Sequence, residues 1–104
     1  MPRRYRRHPD VVWREEGAGR DAAERGAAVG DDIAGVATSV LLRSGTMLSL
    51  NLVGTEIWKR CDGKTLDELV HELAAVFDVG PDEARSDLAS FLADLDRQGF
   101  LDGE

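Results

Sequence analysis

The sequence predicts an α+β fold, in which a small three-stranded antiparallel sheet is followed by three helices. Short segments rich in β-branched and other apolar residues come first, and amphipathic segments come later. Near Asn51 the apolar period changes from two to about 3.6 residues, which marks the passage from strand to helix. Gly63 and Gly80-Pro81 separate the helical segments. A chain of 104 residues is long enough for one domain.

The strands are predicted in the first half of the chain. Residues 11–15 combine valine and tryptophan, which favour a strand. Residues 17–35 contain five glycines and are expected to form a flexible loop, although residues 20–28 could form two helical turns. Residues 36–43 and 46–50 are the second and third predicted strands.

The connection between these two strands decides which side chains share a face. A two-residue turn at Ser44-Gly45 would pair Leu42 with Met47 and leave both faces mixed. A three-residue loop pairs Leu42 with Thr46 and gathers apolar side chains on one face. Because burial of one face fixes the register, the three-residue loop is predicted. The face so formed contains Val36, Val40, Leu42, Leu48 and Leu50.

The three predicted helices have clear start and stop signals. The side chain of Asn51 can cap the first helix, and Gly63 can end it in a left-handed conformation. Thr65 and Glu68 form a capping box for the second helix. Pro81 suits the first position of the third helix. The expected apolar stripes are Val53, Ile57, Trp58 and Cys61; Leu66, Leu69, Val70, Leu73, Ala74 and Phe77; and Ala84, Leu88, Phe91, Leu92 and Leu95.

The net charge of −7 is unevenly distributed along the chain. The first 20 residues hold six arginines against three acidic residues, whereas the remainder is strongly acidic. Residues 1–9 are therefore predicted to be a basic arm, solvated and disordered. Such an arm could also bind nucleic acid or an acidic surface.

The sequence contains no pattern typical of catalysis or of a metal or cofactor site. His8 and His71 stand alone, and Cys61 is expected to be a buried, inert thiol. No apolar run approaches the ~20 residues of a membrane span. No signal-peptide pattern follows the basic start, so a cytoplasmic protein is expected. The oligomeric state is not indicated.

Several short sequence motifs resemble those of the PqqD family. Members of this family are small peptide-binding domains, also called RiPP recognition elements. The resemblance covers roughly Val36 to Leu101. The motifs are Leu50-Asn51, Ile57-Trp58, Cys61-Asp62-Gly63 and the amphipathic helix that follows, which begins with a threonine. Residues 45–51 and 54–58 are most similar to GeoRSP-type members, which accompany paired radical SAM/SPASM maturases.

The resemblance implies a winged helix-turn-helix fold and a non-catalytic chaperone. Such a protein holds the leader of a ribosomally made precursor peptide and presents it to a radical SAM/SPASM maturase. It further implies that the leader adds to the third strand and lies in a groove beside the third helix. The predicted peptide-binding residues are Thr46, Met47, Leu48, Ser49, Leu50, Arg85, Leu88, Ala89 and Leu92.

Two points of this site stay open in the sequence. Backbone donors alternate along a strand, so either Met47 and Ser49 or the other three residues of the strand point outward. The flank of the third helix that lines the groove is also undetermined, because Leu88 and Leu92 could equally belong to the core.

A winged helix that binds DNA is the alternative function. Residues 65–99 carry nine acidic residues against Arg85 and Arg97. A recognition helix approaches phosphates, and phosphate contacts require cations. The charge of these two helices therefore argues against nucleic acid as a partner.

Overall fold

The computed structural model describes residues 3–28, 36–77 and 80–102. The chain divides into two compact units. The arm–helix unit comprises residues 1–9 and 57–104, and the sheet unit comprises residues 10–56. The α+β class is confirmed, since a three-stranded antiparallel sheet is followed by helices. The single domain expected from the chain length stays a prediction.

The described elements follow one another in this order: β1 (Arg4–Tyr5), β2 (Val12–Glu15), α1 (Gly17–Ala28), β3 (Ser39–Arg43), β4 (Thr46–Leu50), α2 (Leu52–Arg60), β5 (Lys64–Thr65), α3 (Leu66–Phe77) and α4 (Pro81–Arg97). In the described ranges, none of the helices is long and apolar enough to cross a membrane.

The sheet of the sheet unit has the strand order β2-β3-β4, and both pairings are antiparallel. The predicted register of its hairpin was wrong. Leu42 lies opposite Met47, and Arg43 lies opposite Thr46. The connecting turn therefore has two residues, Ser44 and Gly45, whose φ angles are 50° and 81°. Positive φ at both positions is typical of the type I′ turn, which matches the twist of a hairpin.

The reason for this error lies in the distribution of apolar side chains. The prediction assumed that only one face of the sheet is apolar. In the observed register, Leu41 and Leu50 are buried on one face, while Leu42 and Met47 share the other face and stay exposed. Burial of a single face therefore could not select the register.

The flexible loop predicted for residues 17–35 was wrong for residues 17–28, which form α1. The remaining residues of that prediction, 29–35, lie outside the described residues. A Cβ atom built on Gly19 would lie 1.9 Å from the carbonyl oxygen of Ala37. Glycine at this position thus allows α1 to approach the chain that leads into β3.

Charged side chains hold α1 as well. Arg20 donates to the carboxylate of Glu56 at 2.9 Å and to that of Glu24 at 2.9 Å. Glu56 is buried, and the hydrogen bond from Arg20 to Glu56 is the main cause that raises the pKa of Arg20. These contacts override the low helix propensity of the glycines, which was the basis for predicting a loop.

The cap predicted for α2 is confirmed. The N–H of Gly54 donates to Oδ1 of Asn51 at 2.8 Å. One turn later, the hydroxyl of Thr55 shares hydrogen bonds with Thr38 at 2.6 Å and with Ser39 at 2.7 Å. These bonds tie the start of α2 to β3. The apolar stripe predicted for this helix was wrong at Val53, which is 41% exposed.

The capping box of α3 is confirmed in the arm–helix unit. The N–H of Thr65 donates to the carboxylate of Glu68 at 3.0 Å, and the N–H of Glu68 donates to Oγ1 of Thr65 at 3.3 Å. Pro81 is the first residue of α4, as predicted. The helices α3 and α4 pack against each other. The buried apolar residues of this unit are Ile57, Trp58, Cys61, Leu69, Val70, Leu73, Ala84, Leu88, Leu92, Leu95, Phe100 and Leu101.

The basic arm was predicted to be disordered, and residues 3–9 contradict this. β1 pairs antiparallel with β5, and the arm continues alongside residues 100–102. The N–H of His8 donates to the carbonyl of Phe100 at 3.0 Å, and the N–H of Asp102 donates to the carbonyl of Arg6 at 2.8 Å. The arm is therefore an integral part of the arm–helix unit.

Arginine side chains reinforce this attachment. Arg3 contacts the carboxylate of Asp96 at 3.3 Å, and Arg4 contacts that of Glu68 at 3.0 Å. The guanidinium of Arg7 lies 5.6 Å from the centre of the Trp58 ring, within the range of a cation–π contact. The composition of residues 1–9 could not reveal these partners, because all of them are distant in sequence.

Candidate functional site

β4 is an edge strand of the three-stranded sheet. It pairs with β3 on one side, and no strand among the described residues pairs with it on the other. An edge of this kind presents backbone N–H and C=O groups to which another extended chain can bond. The residues of β4 that face outward are therefore the first candidates for a binding site.

The two-residue turn decides which residues these are. In such a turn the flanking residues, Arg43 and Thr46, form a hydrogen-bonded pair. The N–H of Thr38 donates to the carbonyl of Leu50 at 2.8 Å, so the far end of β4 also directs its carbonyl toward β3. Because the direction alternates, Met47 and Ser49 direct their backbone groups away from β3. This settles the alternation that the sequence leaves open.

The two edges of the sheet differ in charge. β4 carries no charged side chain. β2 ends in Arg14 and Glu15, and their side chains are engaged with Glu16 at 3.3 Å and Arg20 at 3.4 Å respectively. Charged side chains are a common protection of edge strands against pairing with another chain. β4 is therefore the less protected of the two edges.

One face of the sheet exposes large apolar side chains. We call it the open face, and by the observed register it carries Val12, Arg14, Val40, Leu42, Met47 and Ser49. Val12, Leu42 and Met47 are 68%, 46% and 69% exposed. A shallow hollow with a volume of about 240 Å³ is lined by Val12, Trp13, Arg14, Val40, Leu42 and Met47.

Sequence reasoning missed the open face, because membership of a face depends on the length of the turn. The signal available was the Ser44-Gly45 dipeptide. Its first residue adopts positive φ in the structure, and serine is a weaker signal for that conformation than asparagine or aspartate.

The structure places the five predicted residues of β4 in different environments. Thr46, Met47 and Ser49 are exposed, Leu48 is half-buried and Leu50 is buried. The side chains of Met47 and Ser49 lie on the open face, whereas those of the other three lie on the opposite face. Met47 and Ser49 thus combine outward backbone groups with accessible side chains.

The other four predicted residues lie on α4, in the arm–helix unit. Leu88 and Leu92 are completely buried, and both contribute to the core. Ala89 is exposed, and the guanidinium of Arg85 contacts the carboxylate of Asp67 on α3. Their place in a binding site stays a prediction.

The described part of the chain offers few side chains for catalysis or metal binding. Cys61 is buried, and burial is the main cause that raises the pKa of its thiol to about 11. At neutral pH the thiol is therefore protonated and weakly nucleophilic, as the sequence predicts. No group of three or more His, Cys, Asp or Glu residues in the described ranges could hold a metal ion.

Comparison with known proteins identifies the family. The family model described as coenzyme PQQ synthesis protein D (PqqD) matches residues 38–101. No curated protein and no solved structure matches the chain. Proteins of the PqqD family are non-catalytic, bind precursor peptides and act with radical SAM enzymes. Since the match covers more than half of the 104 residues, and since a three-stranded antiparallel sheet followed by helices is the PqqD-like arrangement, the chain belongs to the PqqD family.

Proposed function

We propose that this protein binds the leader of a ribosomally made precursor peptide as an additional strand on β4 and presents it to a radical SAM/SPASM maturase. The observation that carries the proposal is the uncharged edge at β4, where Met47 and Ser49 direct their backbone groups outward. Main-chain hydrogen bonds supply affinity in this mode of binding, and alternate side chains supply selectivity.

Exposed side chains of β4 favour such an addition. Thr46, Met47 and Ser49 are exposed, so their side chains are accessible to an incoming chain. Because β4 has no charged side chain, the addition of a peptide strand does not remove a charged group of β4 from water, which would be costly. The absence of charge supports β4 over β2 as the site of addition.

α4 is proposed as the second wall of the site, as the family resemblance implies. Arg85 and Ala89 are accessible for this role, whereas Leu88 and Leu92 would take part only by supporting the helix from the core. Arg85 already contacts Asp67 and is half-exposed. We therefore expect Arg85→Glu to weaken binding of an acidic leader by less than about 1 kcal/mol, the range of exposed ion pairs.

The alternative of DNA binding is disfavoured by the charges of α4. Both arginines of this helix contact carboxylates, Arg85 that of Asp67 and Arg97 that of Asp94. The exposed residues of its first turns include Asp82, Glu83 and Asp87. A helix with this surface repels phosphates, so a basic partner suits it better than nucleic acid.

The maturase is proposed to be one of the GeoRSP type. This proposal is supported by the sequence of residues 45–51 and 54–58. That sequence is most similar to those of family members that accompany paired radical SAM/SPASM enzymes. Co-purification with each enzyme of a paired radical SAM/SPASM maturase tests the assignment. Binding to a single unrelated radical SAM enzyme would contradict the GeoRSP type while leaving the peptide chaperone in place.

The experiment for peptide binding is a backbone NMR titration with the synthetic leader of a candidate precursor peptide. We expect shifts concentrated on residues 46–50 and on one flank of α4. The variant Ser49→Pro removes an outward N–H, so it should abolish binding and preserve the fold. The matched control Leu48→Pro removes an inward N–H and should unfold the hairpin. Shifts confined to residues 3–9 or to α3 would refute the proposed site.

A further inference from the structure

Two rows of side chains cross the open face and end at the edge of β4. In the first row, Val12 lies opposite Leu42, and Leu42 lies opposite Met47. In the second row, Arg14 lies opposite Val40, and Val40 lies opposite Ser49. The first row is apolar throughout, and each of its three side chains is exposed.

The rows end at the same two residues that direct their backbone groups outward. Residues that lie opposite each other in neighbouring strands place their side chains on the same face of the sheet. In an antiparallel addition, the peptide residue that exchanges backbone hydrogen bonds with Met47 lies opposite it and places its side chain on the open face, next to the side chain of Met47. The backbone register and the choice of side chain are thus coupled at this edge.

Resting on the proposed strand addition, we infer that the open face selects the peptide by an apolar side chain beside Met47, which continues the row of Val12 and Leu42. A large aliphatic or aromatic side chain at that position covers Met47 and reaches toward Leu42 and the hollow. Removal of these surfaces from water favours such a peptide over one with a polar residue there. The peptide residue beside Ser49 does not face the apolar row.

A second copy of the chain is a poorer occupant of this face. A stable protein interface buries roughly 800 Å² on each partner. The open face offers one row of three partly exposed apolar side chains, beside a hollow of about 240 Å³. That surface suits one or two side chains of a bound strand, and it is continuous with the edge where the strand would lie.

The test uses a displayed library of random 16-residue peptides selected on the full-length protein. Leu42→Thr is the informative variant, because β3 already bonds with both neighbouring strands and only the open face changes. Val76→Thr is the matched control, since Val76 is an exposed valine on α3. Circular dichroism and NMR spectra of both variants verify the fold.

We expect the selected peptides to carry a large apolar residue beside Met47. Their affinity should fall, by at most the roughly fivefold of a direct cross-strand pair, for Leu42→Thr, since Leu42 supports Met47 from the next strand, and stay unchanged for Val76→Thr. Replacing the apolar peptide residue with threonine should produce a similar loss. The combined loss should be smaller than the sum of the two, because Leu42 forms part of the surface that the peptide side chain covers.

The outcomes separate this inference from the proposed function. Peptides that shift the amides of Met47 and Ser49 yet bind the wild type and Leu42→Thr equally overturn the inference and leave the proposed function intact. Failure to select any peptide, or selected peptides that do not shift the amides of β4, overturns both. A change of oligomeric state in Leu42→Thr without a change in peptide affinity identifies a second copy as the occupant and also overturns the inference.

Discussion

The two units differ in whether a strand edge is paired with another strand of the same chain. In the arm–helix unit, β5 receives β1, an extended segment from the start of the same chain. In the sheet unit, the outer side of β4 receives no strand from the described residues. The first unit therefore shows the kind of pairing that we propose for the second, but with a strand supplied by the protein itself. We therefore expect the pairing of β1 with β5 to be structural, and we propose the edge of β4 as the place where a peptide strand adds.

The two edges also differ in what makes the pairing specific. The arm is held by Arg3 on Asp96 and by Arg4 on Glu68, in addition to its backbone bonds. β4 has no charged side chain to offer. For the strand proposed to add to β4, we therefore expect selectivity to come mainly from apolar contacts, with Met47 the most exposed apolar residue of β4.

Amide hydrogen exchange should reveal the open edge with the largest effect. We expect the amide of Leu48 to exchange only through opening of the hairpin, with a protection that approaches the ~5–15 kcal/mol stability of a small domain. The amides of Met47 and Ser49 should exchange at nearly the rate of an unfolded chain, because they point away from β3. Equal protection at all five residues of β4 would show that the edge is covered and would break the comparison.

The core of the arm–helix unit should be the most sensitive to truncation. Trp58 is completely buried, and Arg7 lies over its ring. We expect Trp58→Ala to lower the free energy of unfolding by about 3–5 kcal/mol, measured by denaturant titration. A melting temperature of the variant within one or two degrees of the wild type would contradict the assignment of Trp58 to the core of this unit.

In the sheet unit, the two glycines that begin α1 provide a matched pair. Gly19→Ala forces a Cβ against the carbonyl oxygen of Ala37, and we expect a loss of about 1–3 kcal/mol, the range of overpacking. Gly17→Ala meets no atom within 4 Å, so it should be neutral or slightly stabilising. Denaturant titration of both variants provides the measurement. Equal stability of the two variants would mean that α1 does not approach Ala37.

The smallest expected effect is a change in how stability depends on acidic pH, and it involves Glu68. The backbone hydrogen bond from Thr65 is the main cause that lowers the pKa of Glu68, and Arg4 contributes to the same shift. A lowered pKa stabilises the fold above the unfolded value of 4.5, and this contribution is lost as the pH falls through the folded value. Glu68→Gln should retain the cap and show a shallower loss of stability on acidification.

Melting temperatures of Glu68→Gln and wild type between about pH 6 and about pH 3 provide the measurement, since that window brackets the titration of a glutamate. The two curves should converge at the acid end, where the wild-type carboxyl is also protonated. Parallel curves over this range would show that the charge of Glu68 does not stabilise the arm–helix unit.

The sequence alone identified those elements whose signals are local. Asn51, the Thr65 and Glu68 pair, and Pro81 each mark a helix start through contacts within a few residues, and the structure confirms all three. The stripes of α3 and α4 were readable for the same reason, because a helix repeats its buried positions at a fixed period. β4 was also predicted at its observed bounds.

Tertiary structure decided what depends on partners that are distant in the sequence. The arm is ordered by β5, Asp96 and Glu68, and α1 is held by Ala37 and Glu56. Neither composition nor period encodes such contacts. The hairpin register depended on two positive φ angles at Ser44 and Gly45, and both faces of the sheet were apolar enough to fit either choice. The direction of the backbone at Met47 and Ser49, and with it the open edge, followed only once that turn was known, because one residue more or less in a turn exchanges the two faces of a strand.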